Sequence, residues 1–119
     1  MSEFTDLAFD QLRFHDSKVE SVDRSDRSLN IRFSHAVVLR EGGREVFLDV
    51  SLVFSEVEEE RASVWLDDKA GRERPRPEFP IVEVTESSRD GEEFKFEGFS
   101  GEREWSEWWI RAGGFEVRG

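Results

Sequence analysis

Three neighbouring residues in the segment LRFHDSKVESV, His15, Asp16 and Ser17, are of types that can serve in catalysis. A His-Asp doublet occurs in metal-dependent phosphohydrolases, but those sites need further histidines and an aspartate supplied from several helices. This chain has 2 histidines in all, the second being His35, and the surrounding apolar residues indicate a strand. We therefore exclude that class of enzyme.

The same segment gives little more support to a Ser-His-Asp arrangement with serine as the nucleophile. On a strand, His15 and Ser17 would point to one face and Asp16 to the other, and no Gly-x-Ser-x-Gly elbow is present. Asp and Ser side chains accept hydrogen bonds from backbone N–H groups at element starts, and a His ring N–H can bridge strands. We expect His15, Asp16 and Ser17 to form a structural motif at the start of a strand, with no catalytic residues.

Metal and cofactor sites lack a specific signature. The chain has no cysteine, which excludes thiolate metal sites, disulfides and thiol nucleophiles. With 28 acidic residues, some carboxylate will lie near any histidine by chance, and DRSDRS does not match the spacing of a calcium loop. We expect neither a metal nor a cofactor.

Two clusters are candidates for binding a partner. The acidic run EVEEER is either a solvated loop or an acidic patch for a basic partner. The segment WSEWW holds three of the 4 tryptophans, which either build the core or act as interface hot spots. The candidate partner-binding residues are Glu56, Glu58, Glu59, Glu60, Trp105, Trp108 and Trp109.

The charge of the chain limits its partners. At 119 residues the length fits one domain, and the net charge is −11. Such a chain repels nucleic-acid phosphates and anionic membranes, and it favours a basic protein partner, such as a nuclease. Solubility alone also accounts for the charge. The N-terminal stretch lacks the apolar run of a signal peptide and no window resembles a membrane span, so we expect a cytoplasmic protein.

Apolar residues recur mostly with period two, which indicates strands. One strand is predicted over 29–39 and another over 45–55, joined by a hairpin at Gly42-Gly43. In the second strand, Val46, Leu48, Val50, Leu52 and Phe54 are predicted to form one face. Asp90-Gly91 predicts a further hairpin. Together the patterns predict a mainly β chain, a single domain over residues 1–119: an antiparallel meander of six to eight strands, closed as a sandwich or small barrel, with at most one short terminal helix.

Two stretches depart from this pattern. Residues 67–80 hold all 3 prolines and predict a long Pro/Arg-rich loop. In residues 102–112 the tryptophans fit either the stripe of an amphipathic helix or an alternating strand. We favour the strand, because tryptophan prefers strands and FEVRG resumes the alternation.

The order LRFHDSKVESV, LNIRFSHAVV, VFLDVSLVF and FEGFSGEREWSEWWIRAGGFEV resembles small bacterial β proteins, among them the immunity protein 50 family found beside polymorphic toxins. The resemblance covers roughly residues 12 to 118. It implies a mostly β, non-enzymatic protein that binds and neutralises a toxin, and it carries over no catalytic residues.

Three functions follow as hypotheses. The first is a non-enzymatic acidic binding protein, an immunity-like inhibitor of a basic partner protein. The second is a small-molecule-binding or hydrolytic β domain, with a site near His15 and Trp105–Trp109. The third is a structural or oligomerisation module in which the tryptophans form a self-interface.

Overall fold

A computed structural model describes residues 9–65, 71–74, 81–101 and 104–118. These residues form one antiparallel sheet of eight strands, preceded by a 3-10 turn at Phe9–Gln11, and they contain no α-helix. The strands are β1 (Leu12–Arg13), β2 (Val19–Ser25), β3 (Ser28–Arg40), β4 (Gly43–Trp65), β5 (Gly71–Arg74), β6 (Glu83–Asp90), β7 (Glu93–Gly101) and β8 (Glu104–Arg118). The predicted antiparallel β architecture is confirmed, and residues 104–118 are a strand.

The sheet curls into a nearly closed barrel. Its strand order is β1-β3-β4-β8-β7-β6, with β2 paired to β3 and β5 paired to β4. A bridge between Lys18 and Glu83 joins the start of β2 to β6. Beside it, Val19 N–H donates to the Val82 carbonyl and Val84 N–H to the Ser17 carbonyl, both at 2.8 Å. Of the two closed forms that the sequence left open, the structure adopts the barrel.

Both predicted hairpins are present. Gly43, the first residue of β4, has a φ of 135°, and Gly91, in the turn between β6 and β7, has a φ of 62°. Glycine enters this region of backbone space without steric cost. The predicted loop over 67–80 lies outside the described residues apart from Gly71–Arg74, whose backbone pairs with β4 as β5.

Aromatic side chains fill the barrel. Phe96 contacts Phe14 with ring centroids 5.9 Å apart and Phe33 at 5.6 Å, and Phe9 meets Phe94 edge-on at 5.1 Å. Each such ring removes about 150–250 Å² from water, so a few of them supply a core that aliphatic residues alone would not. The largest fully buried side chains include Phe9, Phe14, Phe33, Phe54, Phe94, Phe96 and Trp108.

One predicted strand face is wrong. Val50, Leu52 and Phe54 are buried as expected, but Val46 and Leu48 are 63% and 73% exposed. Asp49 adopts the left-handed conformation, with φ 55°, and this inverts the alternation of β4 on its N-terminal side. The paired strand β3 inverts at the same level, because its buried residues change from Leu29, Ile31 and Phe33 to Ala36 and Val38.

Candidate functional site

His15 and Asp16 form a turn that leads from β1 into β2. Asp16 has a φ of 63°, and its N–H donates to the Val84 carbonyl at 2.8 Å. The predicted common face of His15 and Ser17 is wrong, because the turn leaves His15 exposed while Ser17 is fully buried. The Ser17 hydroxyl donates to the His35 carbonyl at 2.7 Å, so it is turned towards β3 and engaged there.

The ring of His15 ties this turn to β6. Its Nδ1 lies 2.9 Å from the Thr85 carbonyl oxygen, to which it donates, and its Nε2 lies 3.5 Å from Asp16 Oδ2. The hydrogen bond to Thr85, and then the Asp16 carboxylate, raise the pKa of His15 above its ordinary value. The three residues therefore connect β1, β2, β3 and β6 by hydrogen bonds at the place where the barrel closes.

Glu60 points into the barrel. Glu56 has a φ of 52°, and a β-bulge lies between Val57 and Glu59 where β4 pairs with β8. Each irregularity shifts the alternation of β4 by one residue, so Val57 packs against the core and Glu60 returns to the side of the buried Phe54, where its side chain is only 4% exposed. EVEEER is thus part of β4 and no loop, and Glu60 is inaccessible to a partner in this conformation, contrary to its place among the candidate binding residues.

Two neighbours satisfy this buried carboxylate. Arg24 donates from Nε to Glu60 Oε1 at 2.9 Å and from Nη2 to Oε2 at 2.6 Å. Trp108 Nε1 donates to Oε2 at 3.0 Å. A bidentate guanidinium and an indole N–H are the partners that a buried carboxylate requires. Trp108 is itself fully buried, so it too lies away from any partner surface.

The outer surface of the barrel carries a row of glutamates. In register, Glu86 on β6 pairs with Glu97 on β7, and Glu97 pairs with Glu107 on β8, so three carboxylates occupy neighbouring strands on one face. Like charges directly opposite each other destabilise a sheet. Lys95 partly offsets this repulsion, with its Nζ 3.1 Å from Glu97 Oε1 and 3.7 Å from Glu107 Oε1.

An aromatic pair lies beside that row. Phe99 and Trp105 are paired in register, and their rings meet edge-on with centroids 5.3 Å apart at 89°. Phe99 is 41% exposed and Trp105 is half-buried. We call Glu86, Glu97, Glu107, Phe99 and Trp105 together the aromatic–acidic face.

Trp109 shares the outer surface but is covered by cations. The Arg61 guanidinium lies 4.7 Å from its ring centroid and Lys95 Nζ lies 5.4 Å from it, both within the range of a cation–π interaction. The ring thus serves to hold basic side chains next to the glutamate row.

Glu56, Glu58 and Glu59 are exposed on β4. Glu58 pairs with Arg111, whose Nε lies 3.3 Å from Oε2, and both side chains are more than half exposed. Such a pair contributes little to stability. Three of the four predicted acidic candidates therefore remain accessible.

The sequence pattern does not indicate the cluster of Glu86, Glu97 and Glu107. These residues come from three separate strands, and only the register of the sheet brings them together.

Cavities occur at separate places on the barrel. An open groove of about 500 Å³ is lined by Arg13, Phe14, His15 and Thr85–Arg89. A second cavity, of about 200 Å³, lies beside Arg24 and Glu60, and a third, of about 30 Å³, lies beside Trp109. His15 and Trp109 thus line different cavities, although the ligand-binding hypothesis joined them in one site.

Within the described ranges, no group of three or more histidine and carboxylate side chains is placed to hold a metal ion. No helix among the same residues has the length and hydropathy that a membrane crossing demands.

No relative of this chain is found among known proteins. No protein family, curated protein or solved structure matches the chain, so its resemblance to the immunity protein 50 family stays a prediction.

Proposed function

We propose that this protein is a non-enzymatic binding protein that captures a basic protein partner on its aromatic–acidic face, as an immunity protein captures a toxin. The observation that carries the proposal is the row Glu86–Glu97–Glu107 across three paired strands. A fold selected for stability alone gains nothing from like charges placed opposite one another.

A cationic partner would relieve the repulsion between the carboxylates of this row. Lys95 supplies one positive charge among the three carboxylates, and the chain as a whole has 28 acidic residues against 17 basic ones. A lysine or arginine from a partner, placed over the row, would gain attraction from several carboxylates at once. Such complementarity also accelerates association and lends it a strong dependence on salt.

The aromatic pair of Phe99 and Trp105 adds apolar contact area, which the charged residues of the face do not provide. Interface hot spots are enriched in tryptophan at the centre of a patch, with polar residues around it. Trp105 and the exposed Phe99 lie in register next to the glutamate row, so one partner side chain can contact a ring while another contacts a carboxylate. Of the seven candidate residues from the sequence, Trp105 belongs to this face, and the exposed Glu59 extends the outer acidic surface along β4.

The test is protection against a basic toxin. The protein is expressed together with each basic protein encoded by a gene adjacent to its own, and cell growth is measured; a complex of the two purified proteins is then titrated by calorimetry. We expect wild-type protein to restore growth and Glu97→Gln/Glu107→Gln to bind more weakly, with a smaller dependence on salt.

The matched control is Glu20→Gln/Glu92→Gln, which removes the same number of charges from exposed positions elsewhere on the barrel. It should bind as the wild type does. The proposal is wrong if both double variants lose affinity equally, or if no basic protein is bound by the wild type.

A further inference from the structure

A groove lies at the seam where the barrel closes. The bridge between Lys18 and Glu83 joins β6 to the start of β2, and in the described part of the chain this series of contacts ends at the His15 ring on the Thr85 carbonyl. Beyond that point β1 pairs with β3, and a groove of about 500 Å³ is lined by residues of both β1 and β6. This volume lies in the range of about 300–1,000 Å³ that is typical of small-molecule sites.

Arg89 on β6 presents a fixed guanidinium at this groove. Its Nε donates to the Gly91 carbonyl at 2.7 Å, and its guanidinium carbon lies 4.9 Å from the ring centroid of Phe94 and 5.3 Å from that of Phe115. These contacts hold the guanidinium plane and engage one of its N–H groups. No carboxylate of the described residues forms an ion pair with Arg89, so its Nη1 and Nη2 atoms can donate to a ligand.

The lining of the groove differs in charge from the rest of the molecule. Its permanently charged side chains are Arg13, Glu86 and Arg89, two cations and one anion, whereas the chain as a whole carries −11. Arg13 belongs to the wall formed by β1 and donates from Nη1 to the Leu12 carbonyl. A concave site with locally positive charge attracts anions that the remaining surface repels.

We propose that this groove binds the carboxylate group of a small organic acid, with Arg89 as the residue that receives it. The two Nη atoms of a guanidinium match the two oxygens of a carboxylate and bind them through parallel hydrogen bonds. Ser87 and Ser88 also line the groove, and their hydroxyls can donate to an anion. A carboxylate is favoured over a phosphate, because Glu86 in the lining and the net charge of the chain repel a dianion more strongly.

Titration of the full chain with sodium acetate, followed by heteronuclear NMR at constant ionic strength, tests the site. We expect saturable shifts of the Arg89 Nε–H and of the backbone amides of Ser87 and Ser88, with a dissociation constant on the order of millimolar. Sodium phosphate at pH 8, where it is mainly a dianion, should bind more weakly than acetate.

Arg89→Gln should weaken acetate binding at least roughly tenfold, because hydrogen bonds to a charged group are lost. Its control is Arg44→Gln, which removes the same charge from an exposed position on β4 and should leave the affinity unchanged. Since Arg89 also contacts two phenylalanine rings, Ser88→Asp provides a second test that keeps those contacts. It adds a carboxylate at an exposed position in the groove and should weaken binding, whereas Ser55→Asp, exposed on β4, should not.

The proposal is overturned if acetate causes no saturable shifts at the groove, or if phosphate binds more tightly than acetate. Equal effects of Arg89→Gln and Arg44→Gln would overturn it as well; if Arg89→Gln does not fold, the comparison of Ser88→Asp with Ser55→Asp decides. The groove shares Glu86 with the aromatic–acidic face, but none of these variants changes a residue of that face. A failure here therefore leaves the function proposed above intact.

Discussion

Inside the barrel, Glu60 accepts hydrogen bonds from Nε and Nη2 of Arg24 on β2 and from the indole N–H of Trp108 on β8. These contacts join three strands at one point and satisfy a carboxylate that is 4% exposed. A buried ion pair of this kind adds little net stability compared with apolar side chains, but the loss of one partner leaves a charge without compensation.

Arg24→Ala, which leaves the Glu60 carboxylate in place, should therefore lower the free energy of unfolding by about 3–5 kcal/mol. Urea denaturation followed by tryptophan fluorescence measures this change. Glu59→Ala, at the exposed neighbouring position, should stay within about 0.5 kcal/mol of wild type. Adding Glu60→Ala to Arg24→Ala should cost less than the sum of the single changes; strict additivity would show that the pair is not coupled.

His15 should make stability depend on pH. Its pKa is raised in the folded state above the ordinary value of 6.5 by the Thr85 carbonyl and then by Asp16. The protonated ring is thus favoured by folding, and this contribution is fully present below pH 6.5 and is lost as pH rises through the folded pKa. The difference in stability between wild type and His15→Ala should be larger at pH 5.5 than at pH 8.

NMR titration of the His15 ring checks the cause directly. We expect a midpoint above 6.5 in the wild type. Asp16→Asn removes one of the two main causes and suits the left-handed backbone at that position, so it should lower the midpoint while keeping the fold. A midpoint unaffected by Asp16→Asn would contradict the role given to that carboxylate.

At the scale of elements, strands β6 and β7 approach each other more closely at Gly98 than a side chain allows. A Cβ atom there would lie 2.0 Å from the Glu83 carbonyl oxygen and 3.0 Å from the Val84 Cα. Both are backbone atoms, and they lie where the irregular pairing between Val84 and Glu86 draws β6 towards β7. One strand would have to shift to accept a methyl group.

Gly98→Ala should therefore destabilise the fold by about 1–3 kcal/mol, as overpacking does elsewhere. Thermal unfolding followed by circular dichroism measures the loss. Gly42→Ala is the matched control, because nothing lies within 4 Å of a Cβ atom at that position, and it should be nearly neutral. Equal losses at both positions would point to glycine's backbone freedom as the cause and not to the close approach of the strands.

At the scale of the whole molecule, the net charge of −11 means that the charged side chains of the barrel repel one another on average. Excess charge of one sign destabilises a compact state, and dissolved salt screens it. The glutamate row adds a local part to this repulsion, whereas the buried Arg24–Glu60 pair is largely shielded from salt.

Raising salt from about 0.01 M to about 0.15 M shortens the screening length from about 30 Å to about 8 Å. We expect the midpoint of thermal unfolding to rise, by roughly 4 °C for each kcal/mol of repulsion relieved. Differential scanning calorimetry at the two salt concentrations measures this midpoint. Glu97→Gln/Glu107→Gln should show a smaller rise than Glu20→Gln/Glu92→Gln, and an equal rise in both would argue against a concentrated repulsion at the row.

The sequence alone determined the class of fold and its hairpins. Period-two alternation and the turn residues Gly42-Gly43 and Asp90-Gly91 are local signals, and they gave an antiparallel β domain with both hairpins in place. The segment WSEWW fitted a strand or a helix equally in its spacing, and only strand propensity and the alternation beyond it favoured the strand.

The tertiary structure decided which face of each strand is buried and which residues meet. The alternation of β4 shifts at three places: the left-handed residues Asp49 and Glu56, and the bulge near Glu58. No local sequence pattern indicates these irregularities. Asp49 turns Val46 and Leu48 outward. The two later irregularities bring Val57 against the core and cancel at Glu60, which lies on the side of Phe54 that uninterrupted alternation would also give. The row Glu86–Glu97–Glu107 depends on the register of three strands, and register is set by the closure of the whole barrel, because one shifted residue would turn every side chain to the opposite face.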